Sequence, residues 1–171
     1  SAEAMRQLTG HALAAFPEGR IPMAAATPVG RQAGLNETAF GGEKAVFPLF
    51  HDPGAADPRV LARYGTGEAA VTWAEDNGGT SVFCGVPRLT PGLLRFAAKK
   101  AGVHLFTEDE CVLYANGRFV VLHGTADGRV RLDVGARSSV ADALTGERLG
   151  QGPRLSLPLG FGETRVLRVL E

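Results

Sequence analysis

From residue 59 onward, apolar and polar positions alternate in short runs separated by turn residues. "VLARYG" (60–65), "AAVTWAE" (69–75) and "TSVFCGV" (80–86) read as strands. Thr66-Gly67 and "DNGG" (76–79) carry the turn chemistry between them, predicting a small antiparallel meander. The period then lengthens. Leu93, Leu94, Ala97, Ala98 and Ala101 fall on one helical face, with Arg95, Lys99 and Lys100 off it. Thr90 suits an N-cap, Pro91 the first helical position, and Gly102 the left-handed residue past the end. Lys99 and Lys100 complement the negative end of the helix dipole. "VHLF" (103–106) resumes an extended pattern, so residues 81–106 predict strand–helix–strand.

After "TEDE" (107–110) helix signals stop. "CVLYA" (111–115) and "RFVVLHG" (118–124) flank Asn116-Gly117, a preferred two-residue hairpin turn. Asp127-Gly128 turns into "RVRLDV" (129–134), and "SSVADALTGERLG" (138–150) reads as a strand and a turn. "RLSLPLG" (154–160) and "TRVLRVL" (164–170) complete a predicted small antiparallel β-sandwich. The domain boundary is expected near 106–111, with no Pro-, Gly- or Ser-rich linker, so the halves are expected to pack rigidly.

The first 58 residues are less patterned. Ser1 to Leu8 reads as a short helix with Ser1 as cap and Thr9-Gly10 at its end. A helix at the very start suggests a chain that begins partway through a larger polypeptide. "IPMAAATPV" (21–29) and "KAVFPLF" (44–50) are candidate strands, pushed towards sheet edges by Pro22, Pro28 and Pro48. "RQAGLNETAFGGE" between them reads as loop.

The 171 residues are 44% apolar and 21% charged, enough for a real core and unlike a disordered chain. Lys+Arg and Asp+Glu both number 18, which removes the electrostatic case for a nucleic-acid or anionic-membrane partner. No apolar run is long enough to span a bilayer, and "SAEAMRQLTG" lacks the layout of a signal peptide. The compartment stays open. So does the redox state of Cys84 and Cys111, which form no CxxC pair.

Cys84 sits at the end of a strand, before a turn and a helix, where several hydrolases and amidotransferases place a nucleophile. Yet Phe83 precedes it where a sharp elbow needs a small residue. None of His11, His51, His104 and His123 stands at a diagnostic spacing for its base. A buried cysteine acting as a small hydrophobe is the simpler reading. His104 with Glu108, Asp109 and Glu110 could supply metal ligands, but the acids fall in a turn and read as solvated. Glu68, Glu75, Asp76, Glu108, Asp109 and Glu163 lie at turns or strand ends and form no catalytic carboxylate pair. No Gly-rich phosphate loop opens the helix, so no cofactor is expected. Trp73, the lone tryptophan, and Tyr64 remain as candidates for stacking against a sugar, with core packing as the competing role.

Taken in order, "VLARYGTGEAAVTWAEDNGGTSVFCGVPRLTPGLLRFAAKKAGV" resembles the end of the α/β "trimerisation" domain of glycoside hydrolase family 42 β-galactosidases. "ALTGE" and "LSLPLGFGETRVL", with the hairpin before them, resemble that family's C-terminal β domain, and "SAEAMRQLTG" a helix of its α/β domain. The resemblance is weakest at residues 20–45. It implies an α+β chain: a partial flavodoxin- or glutamine-amidotransferase-like α/β unit over 1–106, then an antiparallel β-sandwich over 107–171. It implies further that catalysis resides in an upstream TIM barrel, and no catalytic residue carries over. The first strands and helices of the family's α/β domain have no counterpart in this chain. The expected role is therefore structural, in oligomer assembly and in supporting the barrel or a partner chain. A carbohydrate-binding module using Trp73 or Tyr64, or a small enzyme using Cys84, are the alternatives.

Overall fold

A computed structural model describes residues 2–76, 79–135 and 139–170 of the chain. They form two compact units, one ending at His104 and the other starting at Leu105.

The first unit opens with α1 (Ala2–Thr9), then β1 (Ala14–Ala15), β2 (Met23–Ala26) and α2 (Pro28–Gln32). β3 (Phe40–Gly41), β4 (Phe50–His51), β5 (Val60–Tyr64), β6 (Ala69–Asp76), β7 (Gly79–Cys84) and α3 (Pro91–Lys100) follow. Five strands make one antiparallel sheet in the order β3-β2-β5-β6-β7, and β1 pairs with β4. The meander expected over 60–86 is β5-β6-β7. Asn77 and Gly78, the centre of its second turn, lie outside the described residues, as does Ser1, the expected cap of α1. Leu35, Phe40, Leu61, Val71 and Leu93 close the core.

Three expectations are corrected here. The run 21–29 is a four-residue strand followed by a helix, because Thr27 caps α2 and Pro28 takes its first turn. Residues 103–106 form no strand. Gly102 is left-handed (φ 68°), and the Gly102 and Val103 amides donate to the Lys99 and Ala98 carbonyls. That pair of hydrogen bonds is a Schellman cap, and it commits Val103 to ending α3. The buried face of α3 is Gly92, Leu93 and Phe96, while Leu94 is exposed. The large Phe96 ring sets which side faces the sheet.

The second unit is built from β8 (Cys111–Asn116), β9 (Phe119–Gly124), β10 (Gly128–Asp133), β11 (Ser139–Asp142), β12 (Arg148–Gln151), β13 (Arg154–Leu159) and β14 (Thr164–Leu170). The sheet order is β12-β11-β14-β9-β8, with β10 and β13 forming a second antiparallel pair. Inward-pointing Val120, Leu122, Val130, Leu132, Leu157 and Leu167 from both sheets meet in one aliphatic core. Asn116 pairs with Phe119, so the β8–β9 turn centres on Gly117 and Arg118, one residue later than expected. β9, β10 and β13 follow the hydrophobic alternation that predicted them, whereas β12 lies in a stretch expected to be turn.

At the level of class the chain is mostly β with few helices and several antiparallel sheets, so the α+β description holds loosely. The strand pairs described are antiparallel throughout. A flavodoxin-like unit is parallel, and no such pairing occurs among the described residues.

Candidate functional site

The most concentrated chemistry lies inside the first unit, where two strands and two connecting segments converge. The segment after α1 delivers His11, the segment after β4 delivers Asp52, β6 delivers Thr72, and the edge strand β7 delivers Ser81. His11 Nδ1 lies 2.8 Å from Asp52 Oδ2, and His11 Nε2 lies 3.0 Å from Ser81 Oγ. Thr72 Oγ1 donates to Asp52 Oδ2 at 2.9 Å, and the Gly54 amide donates to Asp52 Oδ1 at 3.2 Å. His11, Asp52 and Thr72 are buried. The order Ser–His–Asp is that of a hydrolytic triad.

Proton accounting separates this arrangement from a working triad. The Ser81 hydroxyl has one proton, and it donates that proton to the Thr9 carbonyl. The Ser81–His11 bond must then run from Nε2–H to Oγ, the reverse of what a nucleophile needs. Nδ1 lies against both Asp52 Oδ2 and Thr72 Oγ1. Every polar atom of the set thereby finds a partner, as a buried network requires. The hollow beside Arg20, the one at Phe106 and Arg131 and the one at Gly79 and Lys100 are not lined by Ser81. The geometry ties α1, the β4 loop, β6 and β7 together. Sequence reading missed it because its members stand 41, 61 and 70 positions apart. The one local signal is a polar residue stranded among apolar ones, as His11 before "ALAAF" and Thr72 within "AAVTWA".

The residues singled out from sequence are dispersed. Cys84 is half-buried, its thiol donates to the Val86 carbonyl at 3.4 Å, and burial pushes its pKa up. A raised thiol is a poor nucleophile, the opposite of an activated one. Cys111 sits against the aliphatic core of the second unit, and neither cysteine is in a disulfide. Tyr64 is 5% exposed and donates its hydroxyl to the Phe50 carbonyl at 2.9 Å. Burial, with a contribution from Cys84, pushes its pKa up to about 12. Gly85 makes this contact fit: a Cβ there would stand 2.3 Å from the Tyr64 hydroxyl.

Trp73 is half-buried, packs edge-on to Phe96 at 6.1 Å, and has Lys100 Nζ 3.6 Å from its ring centroid. Lys100 also pairs with Glu75 at 3.4 Å. Asp109 accepts from the Arg131 amide at 2.7 Å and Thr107 caps the Asp109 amide, so "TEDE" is a structured turn. Glu163 accepts from the Gly160 amide and from Arg165 Nε, which hold its carboxyl below the usual range. The Asp76 side chain lies outside the described part. Among the described residues no three His, Cys, Asp or Glu side chains converge as a metal site.

The first unit also carries a hollow of about 560 Å³, walled chiefly by Phe16, Ile21, Met23, Ala25, Leu49 and Tyr64 and rimmed by Glu18, Arg20 and Thr66. The Arg20 guanidinium stacks over Phe16 at 4.7 Å. Its Nε is buried without a hydrogen bond, as is Oε2 of nearby Glu68. A hydrogen bond from Thr66 comes first, and the charge of Arg20 adds to it, in holding the Glu68 carboxyl below its usual range.

With this geometry in hand the comparisons are informative. A β-galactosidase from Bacillus circulans sp. alkalophilus superposes with a TM-score of 0.52 at 18% identity, covering 93% of this chain and 24% of that one. The fold is similar to part of a β-galactosidase. A cold-adapted β-galactosidase from Rahnella sp. R3 gives 0.47 at 18% identity, covering 92% and 23%. The chain thus spans about a quarter of the length of these structures. No family model and no curated protein matches it in sequence.

Proposed function

We propose that this chain is a non-catalytic, structural portion of a β-galactosidase-like glycoside hydrolase. Its role is to support an upstream catalytic barrel, or a partner chain, and to contribute to oligomer assembly in the manner of the family 42 trimerisation and C-terminal domains. The observation that carries this reading is the fold likeness that runs over 93% of the chain and only 24% of the β-galactosidase. Two further features support it. The Ser81–His11–Asp52 set has its histidine and aspartate buried and is oriented against catalysis, and the pKa of the Cys84 thiol is raised. The test is an assay of the chain on chromogenic β-galactosides and related glycosides. No turnover above buffer is expected. Robust turnover that a single substitution in this chain abolishes would overturn the proposal.

A second reading, a carbohydrate-binding accessory module, is favoured by the hollow beside Arg20 rather than by Trp73, whose ring Lys100 covers. Sugar titration followed by Trp73 fluorescence and by amide shifts at the hollow separates the two sites.

A further inference from the structure

The strand edges of the second unit are guarded unequally. A sheet edge offers unpaired amides and carbonyls, and native proteins block it with charge, proline, bulges or a covering segment. On β10 the outward Arg131 and Asp133 amides donate to Asp109 Oδ2 and to the Phe106 carbonyl. On β13 Pro158 has no amide proton, and the Ser156 carbonyl accepts from Arg129. β12 has only four residues, carries Arg148 and lies against a register shift in β11. β8 differs. It reads CVLYAN over six residues, with no charge, no proline and no shift in its pairing with β9.

The direction of its main-chain groups follows from β9. The Gly124 amide donates to the Glu163 carbonyl and the Arg118 carbonyl accepts from Val169, so the even positions there turn to β14. Phe119, Val121 and His123 therefore face β8 and engage Asn116, Tyr114 and Val112. The amides and carbonyls of Leu113 and Ala115 are left pointing off the sheet. The surface beside them is apolar, with Val112 40%, Tyr114 69% and Phe119 48% exposed.

We propose that β8 pairs antiparallel with β8 of a second copy of this chain, around a two-fold axis at Tyr114. In that register Leu113 lies opposite Ala115 of the second copy and exchanges main-chain hydrogen bonds with it, twice by symmetry. The two Tyr114 rings meet across the axis as a non-hydrogen-bonded aromatic pair. Charge favours a second copy as the occupant. Glu108 and Glu110 precede β8 and Arg118 follows it, so antiparallel copies set each acidic flank beside the other's Arg118. The inference rests on the oligomer-assembly part of the proposed function and gives it a surface.

Sedimentation of the full chain between about 1 and 500 μM tests it. A reversible dimer is expected to grow in over that range, because an edge contact is a small interface. Tyr114→Lys sets like charges across the axis, and Ala115→Pro removes an outward amide. Each is expected to weaken dimerisation at least about tenfold. Tyr114→Cys places two Cα atoms about 4.5 Å apart, within disulfide reach, so diamide should link the copies covalently. Asn116→Cys, opposite Val112 of the other copy, should not link, nor should the native chain, whose Cys111 falls opposite Gly117. A dimer that Tyr114→Lys and Ala115→Pro leave intact, or equal linking of the two cysteine variants, would overturn β8 as the surface and leave the oligomer reading standing. A monomer at every concentration would overturn both.

Discussion

The C-terminal unit closes around aliphatic side chains such as Val120, Leu122, Leu132 and Leu167, whereas the N-terminal unit buries His11, Asp52, Thr72 and Thr90 beside its apolar residues. In the first case the core is specified by alternation along each strand, and any register slip would turn it outward. In the second, directional hydrogen bonds fix which segments meet. His11 reaches Asp52 and Ser81 only if the end of α1, at Thr9, lies beside β7. Four short or irregular segments are thereby held where hydrophobic burial alone would leave their register loosely defined.

Breaking the polar core should have the largest effect. Asp52→Ala leaves His11 buried without its partner and should cost about 3–5 kcal/mol, read by urea unfolding at Trp73. If His11 and Asp52 are then replaced together by apolar residues of similar volume, most of that loss should return. An equal loss in the double variant would mean the network contributes by shape alone.

The aliphatic core should respond less steeply to a single deletion. Leu167→Ala, at a fully buried position, should cost about 2–5 kcal/mol through lost transfer energy and a cavity. Circular dichroism of the β signal checks it.

A smaller effect comes from alkaline pH. Tyr64 has a folded pKa of about 12 against an ordinary value of 10, so the folded state favours the neutral phenol. Its contribution is complete below pH 10 and is lost as pH rises towards 12. Cys84, also raised, adds to the loss in the same direction. Stability of the first unit should therefore fall through this alkaline window, and Tyr64→Phe should flatten the fall. An unchanged slope in Tyr64→Phe would show that the phenol is solvated.

The smallest effect belongs to the Trp73 surface. Lys100→Ala removes the ammonium over the indole and should cost less than about 1 kcal/mol while shifting Trp73 emission.

The same contrast explains what the sequence disclosed. Most of the second unit is legible strand by strand, because hairpin turns and period-two alternation are local signals, while the short β12 (Arg148–Gln151) reads as turn. In the first unit the meander and α3 were legible for the same reason. Thr90-Pro91 announced α3, yet the same Thr-Pro pair at 27–28 opens α2 inside what reads as a strand, since five residues are too few to show a helical period. Val103 was read as strand because its β-branched type outweighed the Schellman cap it completes. The polar network was illegible, as its residues are brought together only by the fold. Arg20 likewise acts on Glu68 across 48 positions of sequence, the difference of their numbers. The aromatic residues drew attention instead.

The central claim is that the Ser81–His11–Asp52 arrangement holds the fold together and catalyses nothing. Its most direct test is exposure of the folded chain to a fluorophosphonate, followed by intact mass and peptide mapping. The account predicts that Ser81 stays unmodified under native conditions, because its proton is committed to the Thr9 carbonyl. Stoichiometric labelling of Ser81, lost in His11→Ala that remains folded, would contradict it.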